Sequence, residues 1–158
     1  MKKTKESAQK QIWISQLVFG YSGVGKTWYA RSVADFIGWE RTLWINTERP
    51  ISSFDAHLYS GDEPYGVVNA QELTIAEIQD GYLIPARKAA DAGRWLHDLI
   101  VVDTMTELEQ VNFDNIEDTI GKTKTGKDQR QLWKAQISDL RGFLKVLRPG
   151  VREPSSNG

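Results

Sequence analysis

The chain contains no cysteine. That removes disulfides, thiolate metal sites and cysteine nucleophiles together, and it fits a reducing cytosol. Histidine is scarce too: His57 and His97 stand far apart and form no recognisable metal-ligand spacing. No apolar stretch approaches the ~20 residues needed to span a bilayer. Neither sign of charge dominates, since 20 Lys and Arg face 21 Asp and Glu for a net charge of −1. A global basic field for nucleic acid is therefore excluded, and any such contact must come from a local patch. The opening, MKKTKESAQKQIWISQLVF, pairs a basic head with an apolar run. Ser15 and Gln16 interrupt that run and it leads into glycines, which argues against a signal peptide.

What remains is a composition suited to one globular domain, with 40% apolar and 26% charged residues in 158. Residues 1–11 read as a solvated lead-in, residues 12–148 as the folded core, and residues 149–158 as a tail disordered by composition. Residues 12–19 are apolar and β-branched and stop at Gly20, the pattern of a buried strand. Residues 26–37 have helical spacing, with Gly38 as the stop. Strands are expected at 42–46, 65–69 and 99–102, and a loop at 50–64. A helix is expected over 74–94, broken near Gly81 and Pro85. The polar stretch 114–128 precedes an amphipathic helix over 129–147. On that helix Leu132, Trp133, Ile137, Leu140, Phe143, Leu144 and Leu147 share one side. Strands alternating with helices predict an α/β fold with a mainly parallel sheet.

The most informative stretch is GYSGVGKT, residues 20–27. It fits G-x-x-x-x-G-K-[ST] between a predicted strand and a predicted helix. A polyphosphate carries crowded anionic oxygens, and backbone amides can surround them closely where glycines admit positive φ. The helix start contributes further amides and the positive end of its dipole. Gly20, Tyr21, Ser22, Gly23, Val24, Gly25, Lys26, Thr27 and Trp28 are thus the candidate ATP contacts. Trp28 reads more naturally as helix packing, and Tyr21 faces either the nucleotide or solvent. Lys26 reaches the outer phosphate oxygens, and Thr27 offers its hydroxyl to Mg2+. A second GKT at 121–123 is a decoy, because Ile116 occupies its required upstream glycine position.

Two carboxylates complete the candidate site. LIVVD ends in Asp103, and ligands of open α/β sheets gather at the carboxyl ends of strands. Asp103 is placed to hold a Mg2+ water and so link the metal to Thr27. Glu48, in WINTERP, ends another strand and is the candidate to orient an attacking water. Glu107 is its competitor.

The sequence of strand, GYSGVGKT, helix, LWINTE and LIVVDTMTEL resembles the ATPase core of RecA-like recombinases, a P-loop (Walker A) NTPase family with a three-layer fold. It is most similar to the compact members found in phages and prokaryotes. The resemblance covers nearly all of the folded part. It implies ATP and Mg2+ as cofactors, Glu48 as the residue that polarises water, and Lys26 and Asp103 as further catalytic residues. It also implies DNA recombination chemistry on single-stranded DNA. The first DNA-contacting loop of the family matches roughly residues 112–130, where this chain carries Lys122, Lys124, Lys127 and Arg130. Cations there suit sequence-independent phosphate contacts, although Asp114, Glu117, Asp118 and Asp128 dilute the charge. The family core continues after the long helix with a strand that enters between the glycine-loop strand and the Asp103 strand. No run here matches it, so the sheet is expected to be incomplete and the core truncated at its C-terminal side. No γ-phosphate sensor or arginine finger is identifiable. Open strand edges would invite self-association. Two alternatives stand beside this reading: a non-catalytic nucleotide-binding or assembly module, and a P-loop kinase of a small molecule.

Overall fold

The computed structural model describes residues 14–121 and 129–147. Three strands form one parallel sheet: β1 (Thr42–Asn46), β2 (Gly66–Asn69) and β3 (Leu99–Asp103), in the order β2-β1-β3. β1 is central and buried along its whole length, as its run TLWIN suits. In register, Trp44 lies beside Val67 and Val101, and Asn46 beside Asn69 and Asp103. The chain moves one way from β1 to β2 and the opposite way from β2 to β3. Right-handed crossovers then put the two connections on opposite faces of the sheet.

One face carries α1 (Lys26–Ile37) and the six-residue 3-10 helix Ser52–His57. There Ala34, Trp44, Phe54 and Val67 are buried together, with Trp39 and Ala30 against them. The rings of Trp39 and Trp44 stack at 5.8 Å, and Trp44 meets Phe54 at 4.9 Å. The other face carries α2 (Ile75–Ile78), α3 (Ile84–Asp91), α4 (Met105–Gly121) and α5 (Gln129–Leu147). Its core joins Leu43, Ile45 and Val68 of the sheet to Ile75, Ile78, Leu83, Leu108 and Phe143. The result is a mixed α/β fold with helices on both faces of a parallel sheet.

Several elements differ from expectation. Residues 14–19 belong to no strand and are exposed, with Leu17 and Phe19 at 78% and 88% exposure. Their apolar pattern asks for a sheet neighbour, and among the described residues β3 pairs with β1 alone. The expected loop at 50–64 contains the 3-10 helix that seats Phe54 in the core. The expected break near Gly81 and Pro85 is a π-helical turn, Gln79–Leu83, which joins α2 to α3 without ending the helix. Pro85 lies near the start of α3, directly after the π turn. The polar stretch after Asp114 is helical as far as Gly121. Just ahead of that stretch the helix is tied to α5: buried Asn112 donates to Gln136 Oε1 at 2.7 Å, and Gln136 Nε2 donates to the Glu109 carbonyl. The apolar residues of α5 also divide. Leu132 and Phe143 are buried, whereas Trp133, Ile137 and Leu144 form an exposed stripe.

Candidate functional site

The site lies at the carboxyl rim of the sheet, where α1 meets β3. Residues 20–25 curl ahead of α1, and Gly23 and Gly25 have φ of 80° and 94°. A Cβ at either would touch nothing within 4 Å, so glycine is needed there for backbone conformation and not for space. Gly20 is different, since a Cβ there would come within 3.0 Å of Val24 Cγ2. Gly25 is the N-cap of α1, and its carbonyl accepts from the Tyr29 amide at 2.8 Å. No side chain caps this helix start, and its first turn holds no acid. The amides of Lys26, Thr27 and Trp28 therefore end the helix without intrahelical acceptors.

Lys26 Nζ donates to the carbonyls of Gly20 and Tyr21, both at 3.0 Å, so the loop folds back around the ammonium. Thr27 is the link to the sheet: its hydroxyl donates to Asp103 Oδ2 at 2.8 Å across 76 residues of sequence. Asp103 is 6% exposed. The bond joins the last residue of the glycine octet directly to the last residue of β3, two residues expected to be linked only through a metal ion and its water. Both offer hard oxygen donors of the kind Mg2+ selects. Among the described residues no group of three or more His, Asp or Glu side chains is arranged to hold a metal by itself. Mg2+ with a nucleotide needs only one or two protein oxygens, so this donor set fits it.

Glu48 is exposed on the turn after β1, two residues beyond the Asn46–Asp103 register pair. Glu107 lies in the first turn of α4. Trp28 does not pack into the core as expected. It is 74% exposed, and the Arg31 guanidinium lies 5.7 Å from its ring centre. Position 28 is the third residue of α1, and Arg31, whose guanidinium also lies 5.6 Å from the Phe54 ring centre, stands over the Trp28 ring at the edge of that core. Tyr21 and Val24 are exposed on the loop, as are Ser22 and Gly23. Lys122, Lys124 and Lys127 lie outside the described residues, and Arg130 falls in the first turn of α5. The segment matched to a DNA loop is thus helical over much of its length. α4 leaves the rim immediately after Asp103 and runs for 17 residues, about 25 Å at 1.5 Å per residue.

Sequence reasoning missed the polar residues that hold this rim. Asn46 Nδ2 donates to Asn69 Oδ1 at 3.1 Å, giving a row Asn69–Asn46–Asp103 across three strand ends. Thr47 and Gln71 brace the turn that carries Glu48. The signal available was that β1 and β2 each close on asparagine, an unusual strand residue. Searches of protein-family profiles, curated proteins and solved structures found no match to this chain.

Proposed function

We propose that this chain is a RecA-like P-loop protein that binds ATP with Mg2+ and hydrolyses it, with turnover coupled to single-stranded DNA. The observation that carries the reading is the Thr27–Asp103 hydrogen bond. A glycine turn alone is a backbone motif, but a glycine turn whose terminal hydroxyl meets a buried strand-end carboxylate brings together two oxygen donors and so supports the reading of a two-part divalent-ion site. The uncapped start of α1 supports it further, because its free amides suit an anion.

In this reading the amides of residues 20–27 cradle the phosphates, and Lys26 exchanges its two loop carbonyls for phosphate oxygens. Thr27 would hold the cation through its hydroxyl, and Asp103 would help hold it through its carboxylate. The cation, when bound, neutralises charge that develops on the phosphoryl oxygens. Glu48 orients a water for in-line attack. The DNA part rests on the resemblance and on the lysines of residues 122–127. Small-molecule kinase activity is the weaker alternative, since it would place residues 14–19 directly beside β3, and among the described residues they pair with no strand. A non-catalytic nucleotide-binding module keeps every part of the site except the role of Glu48.

The test is ATP turnover with and without single-stranded DNA across a salt series, in wild type and in Glu48→Gln. Stimulation that fades with salt, together with loss of turnover but not of binding in Glu48→Gln, is the expected result. Binding without turnover in wild type would select the non-catalytic module, and phosphate transfer dependent on an added small acceptor would select the kinase.

A further inference from the structure

The turn that carries Glu48 is held from both neighbouring strands. On the β3 side, the Thr47 amide donates to the Asp103 carbonyl at 2.8 Å. The Thr47 hydroxyl donates to the Thr104 carbonyl at 2.6 Å and accepts from the Thr104 amide at 2.7 Å. On the β2 side, the Ala70 amide donates to the Asn46 carbonyl at 2.7 Å. Gln71 then spans the turn, its Nε2 donating to the carbonyls of both Asn46, at 3.2 Å, and Glu48, at 2.5 Å. A side-chain amide nitrogen has two hydrogens, and here each has its own acceptor.

We propose that Gln71 is a positioning residue for Glu48. By tying the Glu48 peptide to the end of β1, it fixes the carboxylate relative to Asp103, which Thr47 ties to the same strand end from the opposite side. This rests on the reading of Glu48 as the residue that orients water. The energetic pattern separates positioning from mere support. Without Gln71, the Asn46 carbonyl keeps the Ala70 amide and the Glu48 carbonyl, on an exposed turn, returns to water, so the stability cost is small. The mobility gained by the turn is not small for chemistry, because a displacement of about 1 Å at a reacting group can cost about 100-fold in rate.

The experiment compares wild type, Gln71→Ala, Gln71→Glu and Glu48→Gln. Gln71→Glu keeps the side chain's size but replaces both donors by acceptors. Three quantities are read: amide hydrogen exchange over residues 46–50, ATP affinity by calorimetry, and kcat with KM. Both Gln71 variants are expected to exchange faster over 46–50 while melting close to wild type. They should bind ATP as wild type does and lose about 10-fold to 100-fold in kcat with little change in KM. Unchanged exchange and unchanged kcat in Gln71→Ala, or wild-type behaviour in Gln71→Glu, would overturn the assignment. The two readings fail separately. Full turnover in Glu48→Gln removes Glu48 from the mechanism, whereas an inactive Glu48→Gln beside a fully active Gln71→Ala removes Gln71 alone.

Discussion

The bond between Thr27 and Asp103 predicts a measurable coupling even without nucleotide or metal. Asp103 is almost fully buried, and the Thr27 hydroxyl at 2.8 Å donates to its carboxylate. A hydrogen bond to a charged group contributes about 1.5–3 kcal/mol net. Thr27→Val keeps the branched shape and removes the donor, so it leaves the carboxylate without this partner. Asp103→Ala removes the acceptor and its desolvation cost together. In a double-mutant cycle the paired substitutions should therefore destabilise less than the sum of the singles, by about 1.5–3 kcal/mol. For a chain of this size, 1 kcal/mol moves the midpoint by about 2–4 °C, so the non-additivity amounts to roughly 3–12 °C in Tm. Urea unfolding followed by tryptophan fluorescence reads it directly, since Trp44 and Trp39 stack in the core beside α1. Single losses that add to within about 0.5 kcal/mol would refute the coupling and with it the two-part site.

Two further outcomes follow from the fold. Burial holds the pKa of His97 below its ordinary value, against the opposing hydrogen bond from its Nε2 to the Pro64 carbonyl. A lowered folded pKa means that the unfolded chain binds the proton more readily, so the contribution of His97 is complete above about pH 6.5 and is lost as pH falls through the folded value. His97→Gln, which can still donate to Pro64, should flatten that part of the stability profile; an unchanged profile would show that His97 does not supply it. Phe143→Ala, at a fully buried position that joins α5 to the β-sheet core, should cost about 3–5 kcal/mol in urea unfolding; a loss under about 1 kcal/mol would mean that α5 does not close that face.

What the sequence made legible was local. GYSGVGKT, the helix after it and the strand ends at Asn46 and Asp103 follow from short-range pattern and from one residue type per position. Residues 14–19 show where local reading stops: the segment has the composition of a strand, but a strand exists only with a neighbour, and pairing is decided far away in sequence. Residues 112–121 show the converse. They look like solvated loop, yet Asn112 is buried because Gln136, on another helix, completes its hydrogen bonds. The exposed stripe Trp133–Ile137–Leu144 has the same origin, since helical spacing identifies an apolar side but not which part of it a partner element covers. TIAE, residues 74–77, carries the sequence signature of a capped helix start. Thr74 caps α2 and Glu77 returns the bond, which holds the Glu77 carboxyl below its usual range chiefly through the Thr74 amide. The brace around Glu48 could not be read at all, because Thr47 and Gln71 meet their partners only when the three strands are in register.

Binding of a nucleoside triphosphate by the turn between Phe19 and Lys26, the proposal on which every catalytic role depends, is read by calorimetric titration with ATP and Mg2+. Wild type should bind with one site per chain, Lys26→Ala should show no measurable heat of binding, and omitting Mg2+ should weaken the wild-type interaction. Equal titration curves for wild type and Lys26→Ala, or no binding by either, would contradict it.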